Sequence, residues 1–382
     1  MVPVFDLRLT REDLDAVADT LRSGWLTMGP RTQAFERTFA DAIGAEHAVA
    51  VSSCTSALHL AYLAAGIGPG DEVIVPSCTM VATASAVLYT GATPVFAEIL
   101  SVSEPLIDPD HVETLITPRT KAVVAMHYGG YAAAVDRLAE ICERAGIQLI
   151  EDAAHSPLAT LGGKALGTWG VSGAFSFFSN KVLAVGEGGL LATDDEHVAA
   201  FARSRRGHAM TSVSWDRHQG RSDHHGRGDH YDVVDLGFNY RIDEPRAALL
   251  LSRLSRLEQE IERRRELTRR YRARLADIPG ITVPFSDDSV DSSSCYILAI
   301  MLDEPERRNE VRIALREKHE VQTSVFYPAI HEFSAYRERF PGITLPHTER
   351  VARAQVTLPL FTHMTEAEQD QVLDALAAEL GA

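Results

Sequence analysis

The stretch between residues 41 and 194 does most to limit how this chain can fold. Short, nearly continuous apolar runs recur there at 48–51 (AVAV), 72–76 (EVIVP), 94–99 (PVFAEI), 122–126 (AVVAM) and 148–150 (QLI). Runs this short, rich in β-branched residues, suit strands buried on both faces. The intervening stretches 55–65, 81–89, 108–116 and 133–145 carry helical spacing, and Gly66, Gly91 and Gly146 close three of them. Strand and helix alternating in this way predict an α/β fold on a large, doubly wound, mainly parallel sheet.

The pattern stops at residues 207–235, which are rich in His, Asp, Gly and Arg and read as a long loop. Loops of that length inside a compact protein usually serve a function. Residues 243–275, including RLEQEIERRRELTRRYRARL, read as one long connecting helix whose arginines form a solvated face. The remainder reads as a smaller α+β unit, with strands at 295–302 and 322–326 and a final helix at 365–379. The expected division is a large domain over 1–245 and a small C-terminal one over 246–382 of the 382 residues.

Charge and cysteines narrow the class further. Lys plus Arg is 37 against 53 for Asp plus Glu, a net charge of −16. Such a surface disfavours nucleic acid as the main partner and offers no basic patch to a membrane. Cys54, Cys78, Cys142 and Cys295 form neither a disulfide framework nor a CxxC zinc signature. No secretory leader pattern and no run of ~18 apolar residues is present, so a cytoplasmic location is expected.

In an open parallel sheet, ligands sit at the carboxyl ends of the strands. The residues that follow each run are therefore the candidates. Ser52-Ser-Cys-Thr-Ser-Ala-Leu58 follows the first run and opens a helix. Hydroxyls, free backbone N–H groups and the positive end of the helix dipole make an anion site suited to phosphate. An ordinary Ser/Thr N-cap accounts for the same residues. Glu151-Asp-Ala-Ala-His155 places Asp152 and His155 just past another run, where a capping Asp and a satisfied His are the plain alternative. Phe175-Ser-Phe-Phe-Ser-Asn-Lys181 ends in a lysine, with Gly186-Glu-Gly-Gly189 following. A lysine at the end of a buried strand is unfavourable unless paired or neutral, and a neutral one forms imines; a snorkelling or phosphate-contacting lysine is the other reading. A phosphate site, a carboxylate to hold a pyridine nitrogen protonated and an imine-forming lysine together make up the protein side of pyridoxal 5'-phosphate (PLP) catalysis.

These residues resemble the DegT-type PLP-dependent sugar aminotransferases, a fold-type-I family. The resemblance runs from GWLTMGP at 24–30 to LPLF at 358–361 and includes SSCTSALHL, GPGDEVIVPS, ATASAVLYTGATPVF, HYGG, IEDAAH, SFFSNK, GEGG and GFNYRIDE. It implies that Lys181 forms the imine with the cofactor, that Asp152 pairs with the pyridine nitrogen and that His155 lies beside the 3′-oxygen. Thr55, Ser56 and Ser176 would hold the phosphate, with Cys54 beside it and Met80 over the ring. Asn239 would reach the phosphate in a neighbouring subunit, which implies a homodimer with shared active sites. Arg241 and Tyr327 fall in regions where the family handles substrate. The chain departs from the family pattern at Cys54 (commonly Gly), Met80 (usually aromatic), Val182 (commonly Asn) and Phe326 (often His).

The activity so implied moves an amino group from glutamate or glutamine to a keto-sugar, nucleotide-linked, in amino-sugar or secondary-metabolite biosynthesis such as that of antibiotics. A cyclitol ketone is an alternative acceptor. A PLP-dependent sugar dehydratase on the same fold is a second reading, but such members lose the lysine, and Lys181 is present. A non-catalytic descendant would not need Lys181, Asp152 and Ser176. A nicotinamide dehydrogenase lacks support, since no GxGxxG opens a helix after a strand. His208, His218, His224, His225 and His230, with Asp223 and Asp229, could bind a metal, but their spacing matches no standard zinc site, and no metal is expected.

Overall fold

The computed structural model describes residues 1–212, 214–219 and 231–381. The apolar runs form strands β1 (His47–Val51), β2 (Glu72–Pro76), β3 (Thr93–Ala97), β4 (Thr120–Met126) and β5 (Gln148–Asp152). A small hairpin, β6 (Thr160–Leu161) and β7 (Lys164–Ala165), precedes β8 (Ser172–Ser176) and β9 (Gly189–Thr193). Seven of these make one sheet in the order β1-β9-β8-β5-β4-β2-β3. All neighbours from β8 to β3 pair parallel, and β9 runs antiparallel to both β8 and β1.

The sheet is buried on both faces, as its near-continuous apolar runs require. Ala48, Ile74, Val123, Leu149 and Phe175 enter one core, while Val49, Val73, Val124, Ile150 and Ala174 enter the other. The antiparallel return of β9 follows directly from the lysine-bearing loop. It depends on Gly189, where a Cβ would lie 2.2 Å from the carbonyl carbon of Ser53. Only glycine lets β9 pass so close to the start of helix Cys54–Ala64.

Two of the motifs quoted above are clamped together. Helix Pro30–Ile43 has no side-chain cap of its own at Gly29. The buried Glu244 carboxylate accepts instead from the N–H groups of Gly29, Arg31 and Thr32 at 2.7, 2.8 and 2.9 Å, and from the Thr32 hydroxyl at 2.7 Å. A carboxylate at a helix N-terminus satisfies orphan donors and opposes the helix dipole. GWLTMGP and GFNYRIDE are thereby joined.

The C-terminal part carries a three-stranded antiparallel sheet of β10 (Ile281–Thr282), β11 (Leu298–Leu302) and β12 (Gln355–Leu358). Helices Arg308–His319 and Glu366–Leu380 cover it. Three expectations need correction here. The strand expected from 295 begins at Leu298, because Cys295 is left-handed (φ 47°) and Tyr296 donates its N–H to Gly129. Residues 322–326 make no strand: a single bridge joins Ser324 to Thr357, and the Phe326 N–H goes to the Gln355 side chain at 2.8 Å. The helix expected over 243–275 is two helices, Glu244–Leu254 and Leu257–Leu275, broken at Ser255 and Arg256. Nor are all its arginines solvated: Arg253 and Arg264 are buried.

Within the expected loop 207–235, residues Ser214–His218 form a short helix, and Trp215 and His218 pack on Trp25. His224, His225, His230, Asp223 and Asp229 lie outside the described residues. Among the described residues no group of His, Cys, Asp or Glu is arranged to hold a metal, and no helix is long and apolar enough to cross a membrane.

Candidate active site

The carboxyl ends of β1, β5 and β8 open on one cavity of about 270 Å³. Ser53, Cys54 and Thr55 reach it from the turn after β1, Asp152 and His155 from β5, and Ser176, Asn180 and Lys181 from β8. A larger cavity, about 640 Å³, lies between helices Pro30–Ile43 and Glu244–Leu254 but gathers no lysine, histidine or cysteine. The smaller cavity gathers the carboxylate of Asp152, the imidazole of His155 and the amine of Lys181.

At one end stands the start of helix Cys54–Ala64. Ser53 caps it, its hydroxyl accepting from the Ser56 N–H at 3.1 Å. The Ser56 hydroxyl is packed against those of Ser52 and Ser53 at 3.1 and 3.0 Å and does not line the cavity. Ser56 builds the turn, and Ser53, Cys54 and Thr55 face the space. The N–H groups of this first turn have no intrahelical acceptors, so the end is an anion cradle. Ser176 lines the same cavity and accepts from the Phe178 N–H at 3.4 Å.

Further in lie the acid and the lysine. Asp152 is only 3% exposed and forms no ion pair among the described residues. It accepts from the Thr83 hydroxyl at 2.7 Å and from the Ala154 N–H at 3.2 Å. Burial pushes its carboxyl above the ordinary range, against the pull of those two donors and of Lys181. Desolvation pushes Lys181 down to about 8, so roughly a tenth of its amine is neutral at pH 7, far more than for an ordinary lysine. Its Nζ lies 4.4 Å from the centre of the Tyr296 ring.

The neighbouring acid, Glu151, is used differently. Alternation along β5 sends the two side chains to opposite faces. Glu151 accepts from the N–H groups of Gly167, Trp169 and Gly170 at 2.7, 2.6 and 2.9 Å, and from His127 at 3.0 Å. It fastens a loop, and Asp152 alone of the pair lines the cavity.

His155 is held neutral and in one tautomer. Its Nδ1 accepts from the Gly129 N–H at 3.2 Å, which leaves the proton on Nε2, 2.9 Å from the Tyr327 hydroxyl oxygen. Burial, with the positive charge of Lys181 nearby, keeps the imidazole well below its usual range. The HYGG turn makes this possible: Gly130 is left-handed (φ 93°), and a Cβ there would strike Ser294.

Most of the expected site residues meet here. Cys54, Thr55, Met80, Asp152, His155, Ser176, Lys181 and Tyr327 all line the cavity, and Met80 is 49% exposed at its mouth. Asn239 is exposed outside it, and Arg241 lines a separate small cavity beside Thr27 and Arg203. Sequence reasoning missed Thr83, Tyr296 and Glu187. Thr83 sits in the quoted ATASAV motif, but nothing local marks its partner; Tyr296 comes from the distant edge of β11.

The set fits PLP. An anion cradle stands at one end, and the buried Asp152 lacks a cation such as a protonated pyridine nitrogen. Lys181 is poised to meet an aldehyde. The comparisons agree. The model of the DegT/DnrJ/EryC1/StrS aminotransferase family matches residues 8–377. The chain is 38% identical over 372 residues to the spore coat polysaccharide biosynthesis protein SpsC of Bacillus subtilis (strain 168), covering 96% of this chain and 94% of that protein. It superposes on the aminotransferase TlmJ of Streptoalloteichus hindustanus with a TM-score of 0.91 at 33% identity, covering 100% and 99% of the two chains. For S. venezuelae DesV in complex with a ketimine intermediate the TM-score is 0.89 at 35% identity, with coverage of 100% and 99%.

Proposed function

Because the chain belongs to the DegT/DnrJ/EryC1/StrS family of PLP-dependent sugar aminotransferases, we propose that it carries the amino group of glutamate or glutamine to the ketone of a nucleotide-linked sugar. Membership establishes the sugar aminotransferase; the donor, the nucleotide and the residue roles below are the proposal. The observation that carries the roles is the unpaired, buried Asp152 sharing one cavity with a lysine lowered to about 8.

PLP, when bound, supplies a carbonyl carbon that takes up the amine and a protonated ring that accepts the electrons of a breaking C–H bond. Ser53, Cys54, Thr55 and Ser176 would hold its phosphate. Asp152 would keep the ring nitrogen protonated, an ion pair whose formation relieves the penalty of the buried carboxylate. Lys181, as a free amine, would move a proton between the reacting carbons, a role that needs a pKa near the working pH. His155 stays neutral and spends its Nε2–H on Tyr327. The Tyr327 hydroxyl keeps its own proton to donate to an oxygen in the cavity.

The proposal includes a homodimer with shared sites. It is supported by the exposure of Asn239 beside Val233, Val234 and Leu236, which are 53%, 63% and 80% exposed. A run of exposed apolar residues of this kind marks a contact surface. The pathway class proposed is amino-sugar biosynthesis, in keeping with the spore coat polysaccharide role named for the Bacillus relative.

The test is a half-reaction screen. The enzyme is converted to its amino form with glutamate or glutamine, freed of donor, and offered keto-sugar nucleotides and cyclitol ketones separately. Return of the PLP absorbance with a keto-sugar nucleotide is the expected result. Return with cyclitol ketones alone refutes the nucleotide-sugar reading, and failure of both amino acids to form the amino form refutes the donor.

A further inference from the structure

Behind the lysine-bearing loop lies a second chamber of about 170 Å³. It shares Asn180 and Lys181 with the catalytic cavity, so the lysine loop is the wall between them. In a chain of net charge −16 its lining is unusual: Arg8, Lys181, Arg253, Arg256 and Arg264 face only two carboxylates, Asp6 and Glu260.

Those carboxylates are already committed. Glu260 accepts from Arg253 at 3.0 Å and from Arg256 at 2.9 Å, and Arg256 is also held by Asp13 at 2.6 Å. Asp6 meets His363 at 2.6 Å and Arg8 at 3.5 Å. Arg264 is left over. It is 5% exposed and, among the described residues, has no carboxylate within ion-pair distance. Its Nη1 reaches only the carbonyl oxygens of Cys295, Tyr296 and Leu360, at 3.4, 3.3 and 3.3 Å. Its Nε is buried without a partner, as is the Nε of Arg253. The carboxylate whose charge acts on it, Glu260, lies beyond ion-pair distance and is already shared by Arg253 and Arg256. A buried guanidinium so weakly compensated is strongly unfavourable, and arginine does not shed its proton to escape.

We propose that this chamber binds one small anion, a carboxylate or a halide, which supplies the counter-charge Arg264 lacks. The volume is ample, since one water needs only about 10–15 Å³ of such space. The site is separate from the phosphate cradle, which lies across the lysine loop at the start of helix Cys54–Ala64. It does not depend on which sugar is aminated.

The test is the ³⁵Cl NMR linewidth of chloride titrated into the PLP-loaded enzyme in a bulky sulfonate buffer. The acidic surface contributes little non-specific broadening. The expected result is saturable broadening that acetate and bromide reverse. Acetate acting at the lower concentration assigns the site to carboxylates, and bromide acting first assigns it to halides. Arg264→Met should weaken chloride binding roughly tenfold or more, because it removes a charge-assisted donor. That variant risks the fold, so Thr362→Glu, at the partly exposed rim of the chamber, decides. Its tethered carboxylate should occupy the site and abolish the broadening. Absence of saturable broadening in the wild-type enzyme, or unchanged broadening in folded Thr362→Glu, overturns the proposal.

Discussion

Thr83→Val tests whether the ionisation of Asp152 is set by its surroundings as described. The Thr83 hydroxyl donates to Asp152 Oδ2 at 2.7 Å, and both side chains are buried. Removing it takes away one of two direct donors to the carboxylate and leaves burial, which disfavours the charge, less opposed. A hydrogen bond to a charged group contributes about 1.5–3 kcal/mol. At 1.36 kcal/mol per pH unit, the carboxyl should rise by roughly one to two units. The sign is firm, because a donor favours the charged form and its loss raises the pKa. The assay is a carboxyl infrared titration of cofactor-free protein, differenced against Asp152→Asn to isolate this group. Thr83→Ser, which keeps the hydroxyl, should titrate like the wild type. PLP affinity of Thr83→Val should fall alongside, since an ion pair to the ring nitrogen needs the charged carboxylate. An unchanged or lowered Asp152 pKa in Thr83→Val would falsify this account.

Four further outcomes are expected. Borohydride reduction of the holoenzyme should fix PLP to the peptide carrying Lys181, and Asp152→Ala should bind PLP loosely with activity lowered at least about a hundredfold; label on another peptide, or full activity in Asp152→Ala, defeats these roles. Tyr296→Leu removes the ring beneath the Lys181 ammonium, 4.4 Å away. A cation–π contact favours the charged amine, so its loss should move the Lys181-dependent limb of the half-reaction pH profile further below about 8, by roughly half to one unit, with Tyr296→Phe restoring it. Glu244→Ala strands three helix N–H groups and the Thr32 hydroxyl, and urea unfolding should show a loss of about 3 kcal/mol, with an effect under about 0.5 kcal/mol counting against the clamp.

The reach of sequence reading differs between parts of the molecule, for physical reasons. Strands β1 to β5 were legible because each is buried on both faces, so its apolar run is written into consecutive residues, whereas β9 was not read from the sequence. The break between helices Glu244–Leu254 and Leu257–Leu275 was not, since Ser255 and Arg256 carry no Gly or Pro signal. The arginines there read as surface charge, for a helix facing solvent and one facing a buried carbonyl cluster have the same local composition. Residues 322–326 looked like a strand but pass alongside β12 with a single bridge, because the Gln355 side chain captures a donor that a ladder would need.

Local pattern by itself determined the α/β sheet, the phosphate-type turn after β1, and the acid, imidazole and lysine at or past the ends of β5 and β8. Each of those signals is written within a few consecutive residues, where strand period, helix capping and turn chemistry act. Long-range packing decided the rest. It sent Glu151 to fasten a loop and Asp152 to the cavity. It also placed Thr83 against the acid, Tyr296 beneath the lysine and Arg264 in a chamber short of negative charge. Each of those outcomes depends on which distant backbone arrives beside a side chain, and closure of the fold alone settles that.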